Sequence, residues 1–273
     1  MRPISDCRKI NFRLPQEEAF LIYIKGAYME NDKILENHFR DLAEKSASGC
    51  YYTYSCFLSL AEQDLLAGMR LGAGTFGGYE NAERKIAVFG SEEAFGYTEE
   101  APIACLKIEP LMQKYAKKLT HRDFLGSVVG LGLERDVTGD IIIHENVGYM
   151  FCLDNIADFI AENLTKVRRT DVKCARVQSP PVETLALPEE RAFFVASERA
   201  DAVIAAIYGF SRSECQKLFG QKLVFIDSRL CLDADARIPE GAVVSVRGSG
   251  RFIYTGIAKT TKKGRLCIGA RVY

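Results

Sequence analysis

The chain has 273 residues, of which 48% are hydrophobic and 26% charged, and its 36 basic residues balance 36 acidic ones. This composition excludes a mainly disordered protein and is typical of a soluble protein with buried cores. No apolar run approaches the roughly 18 to 20 residues that a membrane-spanning helix needs, and charges interrupt the N-terminus where a signal peptide would be apolar. We therefore expect a cytoplasmic protein of two domains or three small ones, with no membrane partner.

The cysteines and histidines indicate neither a disulfide framework nor a metal site. Nine cysteines are scattered without a CxxC pair, and several lie inside apolar runs, so we predict small buried hydrophobic residues in a reducing compartment. The three histidines, His38, His121 and His144, lie far apart and have no partners at ligand spacing. We expect no metal and no cofactor.

Residues 1–78 are predicted to form an N-terminal, mainly helical domain. Apolar residues recur at helical spacing through residues 16–72, and a third helix is predicted to begin at Ser59, whose spacing to Glu62 fits a capping box. A GxGxxG spacing follows, formed by Gly72, Gly74 and Gly77. Because this spacing follows a helix and leads toward a strand, the reverse of a dinucleotide fingerprint, we interpret it as a glycine turn.

Residues 79–177 are predicted to form a ferredoxin-like middle domain with the order β-α-β-β-α-β. Its four predicted strands cover residues 103–108, 140–144, 149–153 and 172–177. Pro110 is predicted to open the first helix, carrying Leu111, Met112, Tyr115 and Leu119, and Asp154 or Asn155 to cap the second.

Tyr149 and Phe151 lie on one face of a predicted strand in the middle domain. RNA-recognition modules of the same topology stack bases on aromatic residues of their sheet. Alternate large residues on a strand are, however, usually core residues, so both interpretations stay open.

The proline-containing residues 178–188 are predicted to be a linker, followed by a C-terminal domain over residues 189–273. Two short helices are predicted here, one capped by Ser197 and ended by Gly209, the other capped by Ser211 and ended by Gly220. A strand, a tight turn at residues 227–228 and further strands follow. The predicted fold class is therefore α+β.

The second of these helices has two different faces. Its apolar stripe consists of Cys215, Leu218 and Phe219. Its polar face carries Arg212, Ser213, Gln216 and Lys217. Since a helix N-terminus presents free N–H groups and a partial positive charge, the first residues of this helix stand where a phosphate would be held.

Charge supports a phosphate-rich partner for the C-terminal domain. Residues 1–78 hold 9 basic and 10 acidic residues and residues 79–177 hold 13 and 16, whereas residues 178–273 hold 14 and 10. After Gly241 seven basic residues face no acidic residue. Such a local positive field favours nucleic acid.

Residues 191 to about 246 resemble the S4 RNA-binding domain. The matching residues are Arg199, Asp201, Ser211, Arg212, Ser213, Glu214, Lys217, Lys222 and the turn at 227. Members usually have Asn-Gly at that turn, where this chain has Asp-Ser. The predicted RNA-binding residues are Arg199, Ser211, Arg212, Ser213, Gln216, Lys217, Lys222, Arg247, Arg251, Lys262 and Lys263. Asp201 is expected to orient Arg199 through an ion pair, because a free carboxylate repels phosphate.

Four separated segments together resemble the YlmH family of bacterial S4-domain proteins, in the same order. These segments are residues 77–85, 131–141, 163–173 and 246–252. The resemblance implies a helical N-terminal region, a ferredoxin-like middle domain and an S4 domain. It also implies binding to ribosomal RNA and tRNA on the large ribosomal subunit, in the rescue of stalled translation, where a peptidyl-tRNA remains and the nascent chain is tailed with alanine.

Two alternatives of other classes stay open. S4 domains are often joined to pseudouridine synthases, and RDVTGD at residues 135–140 is a superficial match to their catalytic stretch. The spacing around Asp136 differs, so we expect a turn residue and no enzyme. The other alternative is a protein-interaction scaffold, in which the net acidic residues 1–177 bind a protein partner.

Overall fold

Seven α-helices and three β-sheets make up the residues that the computed structural model describes, 16–261 and 264–273. This mixture confirms the predicted α+β class. No helix within these residues is both long enough and apolar enough to cross a membrane.

The first sheet belongs to the N-terminal part of the chain. Its elements are α1 (Gln16–Gly49), β1 (Thr53–Leu58), α2 (Leu60–Met69), β2 (Gly74–Phe76), β3 (Lys85–Phe89) and the short α3 (Glu92–Phe95). The antiparallel strand order is β1-β3-β2. The fully buried Phe39 of α1 packs with Leu66 of α2 and Phe89 of β3, which holds both helices on the sheet. The capping box of Ser59 and Glu62 at the start of α2 is confirmed.

The prediction of a mainly helical region over residues 16–72 is wrong at β1, and its first two helices are one, α1. Two polar residues of β1, Thr53 and Ser55, point inward, so the hydrophobic pattern of the strand is concealed. Thr53 donates a hydrogen bond to the Leu42 carbonyl at 2.8 Å, and the Ala87 N–H donates to Ser55 at 2.8 Å. These bonds satisfy the buried hydroxyls.

This first sheet also crosses the domain boundary predicted after residue 78. Strand β3, at Lys85–Phe89, pairs with both β1 and β2, although it falls in the range assigned to the middle domain. The GxGxxG residues are followed by no helix, as expected for a motif that binds no dinucleotide, but they are only in part the predicted glycine turn, because Gly74–Phe76 form β2.

The second sheet belongs to the middle part of the chain. Its elements are β4 (Ile103–Pro110), α4 (His121–Val129), β5 (Thr138–His144), β6 (Val147–Leu153), α5 (Asp154–Asn163), β7 (Lys166–Val167) and β8 (Thr170–Val177). The strand order is β5-β6-β4-β8-β7, and all pairs are antiparallel. The main elements follow the predicted order β-α-β-β-α-β, and the β5–β6 hairpin turns on Glu145 and Asn146, both left-handed.

The first helix of this part does not begin at Pro110, as predicted. Pro110 ends β4 opposite Val172, while Leu111 and Met112 are 63% and 69% exposed. Helix α4 begins after Thr120, where Asp123 completes a capping box. Helix α5 also differs from the prediction: it has no side-chain cap, because Asp154 is its first helical residue and Leu153 occupies the cap position.

The third sheet carries the C-terminal part of the chain. Its elements are β9 (Glu190–Val195), α6 (Ala200–Tyr208), α7 (Arg212–Gly220), β10 (Val224–Ile226), β11 (Arg229–Leu230), β12 (Val243–Val246), β13 (Gly250–Thr260) and β14 (Leu266–Val272). The antiparallel order is β11-β10-β12-β13-β14-β9. Helices α6 and α7 bury Ile204, Cys215 and Phe219 against Phe252 and Ile268.

Two details of this part differ from the predictions. Ser197 does not cap the first helix, because α6 begins after Arg199. The predicted linker 178–188 contains a 3-10 turn, and its Pro188 carbonyl accepts a hydrogen bond from Arg271 at 3.0 Å. The linker is thus attached to the C-terminal sheet.

The eight described cysteines are free. Contrary to the prediction, they are not all buried. Cys50 and Cys56 are exposed, whereas Cys105, Cys152 and Cys215 are among the buried ones. Burial raises the pKa of the Cys105 thiol to about 12. Among the described side chains, no group of three His, Cys, Asp or Glu residues could hold a metal ion.

Candidate nucleic-acid interface

Helix α7 presents the polar face that the sequence predicts. Arg212, Ser213, Gln216 and Lys217 are exposed, while Cys215 and Phe219 are buried beneath them. The buried stripe fixes the rotation of the helix, because burying the other face would desolvate two cations. The four polar side chains therefore point into solvent together.

The first turn of α7 is closed by its own side chains. The Ser211 N–H donates to the Glu214 carboxylate at 2.8 Å, and the Glu214 N–H donates to the Ser211 hydroxyl at 3.3 Å. The hydrogen bond from the Ser211 backbone holds the pKa of Glu214 below its usual range, so this carboxylate is ionised at neutral pH. The predicted site residue Ser211 thus shapes the helix start, and the Glu214 carboxylate interacts electrostatically with Lys217.

Arg199 is brought beside α7 but is held by carboxylates. It donates to Asp201 through Nε at 3.1 Å and through a terminal nitrogen at 2.8 Å, and it also contacts Asp235. Asp201 is only 5% exposed, and this pair raises the pKa of Arg199. The predicted orienting role of Asp201 is confirmed by this geometry.

A shallow cavity joins the two helices. It has a volume of about 330 Å³ and is lined by Ala196, Ser197, Arg199, Asp201, Ala202 and Arg212, among others. Two predicted site residues, Arg199 just before α6 and Arg212 at the start of α7, therefore lie at one concave surface. Because Asp201 and Asp235 already pair with Arg199, the positive charge that this surface offers a phosphate comes mainly from Arg212.

A second set of cations lies beyond the C-terminal end of α7. The Gln221 N–H donates to the Lys217 carbonyl at 2.8 Å, and the Arg247 N–H donates to the Leu223 carbonyl at 2.9 Å. Lys222, between them, is left-handed with φ 60°. The Arg247 guanidinium lies over the Phe225 ring at 4.5 Å. Lys217, Lys222 and Arg247 are thus held in one region by backbone bonds.

The Asp-Ser turn keeps the geometry of the usual Asn-Gly turn. Asp227 and Ser228 are both left-handed, with φ of 46° and 65°. A carboxylate oxygen of Asp227 accepts a hydrogen bond from the Val243 N–H at 2.8 Å, which supports a conformation that costs energy for residues other than glycine.

Arg251 lies in a different place from the other predicted site residues. It forms an ion pair of 2.5 Å with Glu83 and lies over the Tyr273 ring at 4.3 Å. It therefore joins the C-terminal sheet to the N-terminal part of the chain, with its side chain 39% exposed. Lys262 and Lys263, also predicted site residues, lie outside the described residues.

The same junction contains residues that the prediction of site residues missed. A single carboxylate, Asp140, accepts hydrogen bonds from the Tyr79 hydroxyl at 2.8 Å and from the N–H groups of Glu83 at 2.7 Å and Arg84 at 3.1 Å. Burial raises the pKa of Glu83 despite the opposite charge of Arg251. These residues belong to the segments 77–85 and 131–141 that carry the family resemblance, which is the signal that could have found them.

Close packing explains the glycines of these two segments. A Cβ on Gly78, which has φ 93°, would lie 2.3 Å from the Phe151 ring, and one on Gly139 would lie 2.6 Å from the Phe57 ring. Either substitution would force the aromatic ring or the backbone to shift, because contacts between a Cβ and a ring carbon are not that short. The segments are therefore joints between parts of the protein.

The sheet of the middle part is not an open stacking surface. Tyr149 and Phe151 are 8% and 2% exposed and pack with Phe57 and Ile86 of the first sheet. Tyr79 stacks on Phe151 with ring centroids 5.2 Å apart. Of the two interpretations that the sequence left open, the core one is confirmed.

Comparisons with known proteins agree with the motifs gathered at this junction. Residues 99–180 match a family model described as "Putative RNA-binding domain in YlmH". The chain is also 31% identical to the "Ribosome-associated protein quality control protein P2" of Bacillus subtilis, over 217 residues that cover 77% of this chain and 82% of that protein. The chain belongs to the YlmH family.

A solved structure titled "Cell division protein ylmH from Streptococcus pneumoniae" is also similar, with 19% identity and a TM-score of 0.43. It covers 54% of this chain and 91% of its own. The candidate nucleic-acid interface of this YlmH-family chain comprises two regions, which are the exposed face of α7 with its neighbouring cations and residues 99–180, which match the family model.

Proposed function

We propose that this YlmH-family protein binds ribosomal RNA and tRNA on the large ribosomal subunit and acts in the rescue of stalled translation, without catalysing a reaction itself. On this proposal it works in the cytoplasm on subunits that retain a peptidyl-tRNA, whose nascent chain receives an alanine tail. The observation that carries the proposal is the exposed face of α7, where Arg212 and Lys217 project from a helix whose other side is core. The similarity to the Bacillus subtilis "Ribosome-associated protein quality control protein P2" supports the proposed role on stalled ribosomes.

We also propose the finer classification of the two domains. Across the sheet the strands lie in the order β5, β6, β4, β8. If these four strands are numbered along the chain, this spatial order is 2-3-1-4, which supports a ferredoxin-like domain. Helices α6 and α7, followed by the hairpin turn at Asp227 and Ser228, support an S4 domain.

The proposed setting is tested by co-sedimentation of the full chain with purified large subunits. We expect it to prefer subunits that carry peptidyl-tRNA over empty ones. Since phosphate contacts alone supply affinity without selecting one ribosomal state, this preference would come from contacts in addition to those of α7. Equal binding to both kinds of subunit would contradict the role in rescue, and no binding to either would contradict the ribosomal partner.

The absence of catalysis is tested at Asp136. This residue lies in the 3-10 turn Arg135–Val137, and one of its carboxylate oxygens is buried without a hydrogen-bond partner in the described structure. We expect the purified protein to leave uridines of ribosomal RNA unmodified, as measured by liquid chromatography of the digested nucleosides, which separates pseudouridine from its isomer uridine. Pseudouridine that forms with the natural protein but not with Asp136→Asn would establish the enzyme instead.

A further inference from the structure

The middle part of the chain has few surfaces left on which to bind a partner. One face of its sheet is covered by the first sheet through Phe151 and Phe57, and the other is covered by α4 and α5 through Phe124 and Ile160. A partner of this part must therefore contact its edges or the outer sides of its helices. The match to an RNA-binding family model leaves open which of these surfaces is used.

Two short segments of this part contain only basic charges. Residues 111–122 hold four basic residues and no acidic one, and residues 164–170 hold three and none. The exposed cations of these two segments include Lys117, Lys118, Arg122, Arg168 and Arg169, of which Arg122 and Arg168 both interact with Asp123 of α4. We call these five residues the basic edge.

Specific contacts bring the two segments together. Arg168, in the turn between β7 and β8, lies 3.4 Å from a carboxylate oxygen of Asp123 in α4, and its N–H donates to the Ser127 hydroxyl at 3.4 Å. In the loop before α4, the Leu119 N–H donates to the side chain of Asn146 in the β5–β6 turn at 2.6 Å. The β7–β8 turn is thus held against α4, and the loop that leads into α4 is held against the β5–β6 turn.

Asp123, the acidic residue that contacts Arg168 of the basic edge, is largely buried. The Asp123 side chain is 12% exposed and accepts hydrogen bonds from the Thr120 N–H and hydroxyl, both at 2.8 Å. Those bonds lower the pKa of Asp123. Its carboxylate is therefore engaged in capping α4, and the outward charge of the edge is positive.

The other helix of the domain has the opposite charge. Helix α5 exposes Asp154, Asp158 and Glu162, and two of these hold Arg176 in ion pairs of 2.5 and 2.6 Å. A polyanion approaching the domain would be repelled from α5 and attracted to the basic edge. In the turn between β7 and β8, the backbone of Arg168 is left-handed, with φ 55°, a conformation that glycine adopts more easily than arginine.

We propose that the basic edge binds the phosphate backbone of folded RNA. This inference rests on the proposed RNA-binding function and adds a second contact surface, separate from α7. Lysine and arginine contacts to phosphate carry no sequence information, so the edge supplies affinity and orientation rather than base recognition. RNA bound to both surfaces would contact the protein at two places that the fold holds at fixed positions.

The test uses the full chain with Arg122→Gln and Arg169→Gln, and as probes two RNA hairpins of about 20 base pairs with unrelated sequences. We expect affinity for both hairpins to fall at least about fivefold and the log–log salt slope to fall by about 1 to 2, because two phosphate contacts are lost. The matched control, Lys33→Gln with Lys45→Gln, removes two exposed charges from α1 and should bind like the natural protein. Equal thermal melting of all variants shows that folding is unchanged.

The outcomes separate this inference from the proposed function. If the natural protein binds the hairpins and the Arg122/Arg169 variant binds equally well, the edge is not an RNA surface, although the α7 assignment stands. If that variant keeps its hairpin affinity but fails to co-sediment with large subunits, the edge binds an acidic protein and the inference is overturned. If the natural protein binds neither hairpins nor subunits, the proposed function fails as well.

Discussion

Replacing Arg212 and Lys217 of α7 together with alanine is expected to weaken binding to structured RNA at least about tenfold. Both side chains are exposed and lie on one face of the helix, so the substitution removes about two phosphate contacts without opening the core. The log–log slope of affinity against salt should fall by about 1.4 to 1.8, since each of the two phosphate contacts contributes about 0.7 to 0.9. Filter binding over a salt series measures both quantities.

A matched double variant controls for a general loss of charge. Lys33→Ala with Lys45→Ala removes the same two positive charges from exposed positions of α1 and should leave the affinity unchanged. If the affinity and the salt slope of the Arg212/Lys217 variant both equal those of the natural protein, the assignment of α7 as an RNA-binding surface is refuted. Since the two residues are exposed, melting temperature should change little in either variant.

Asp140→Ala is expected to have the largest effect on stability. This carboxylate, in β5 of the second sheet, accepts three hydrogen bonds from Tyr79, Glu83 and Arg84, which lie between β2 and β3 of the first sheet. Without it, two backbone N–H groups and a hydroxyl lose their acceptor, and the free energy of unfolding should fall by about 2 to 4 kcal/mol. In a chain of this size the corresponding fall in Tm is about 5 to 10 °C, measured by calorimetry.

The control for this prediction is Asp158→Ala. Asp158 also pairs with an arginine, but its side chain is 74% exposed, so the loss should be within about 0.5 kcal/mol. Equal melting temperatures for the two variants would show that Asp140 does not hold the junction together. Asp140→Asn should fall between the natural protein and Asp140→Ala, because the amide retains one acceptor oxygen.

Much of α7 could be predicted from the sequence because its signals are local. The Ser211 cap, the Glu214 that completes it and the apolar residues Cys215 and Phe219 all lie within nine positions. The capping box of α2 and the hairpin of the middle part are equally local. Each depends on neighbours within a few residues, where backbone geometry fixes which side chains meet.

The predictions from sequence were wrong where a residue's bonding partner is distant in the sequence. Ser55 points inward because the Ala87 N–H, 32 residues away, bonds to it, and without that partner its strand does not show an inward apolar face. Pro110 begins no helix because β8 pairs with it. In both places tertiary pairing outweighs local propensity.

The sequence by itself therefore determined the α+β class, the polar face of α7, the excess positive charge of residues 178–273 and the family resemblance. The tertiary structure decided that Tyr149 and Phe151 are core residues and that Arg251 is paired with Glu83, 168 positions away. The reason is that burial and ion pairing depend on which surfaces meet after folding. Local spacing can place a residue on a face of its own helix or strand, but the element that covers that face comes from elsewhere in the chain.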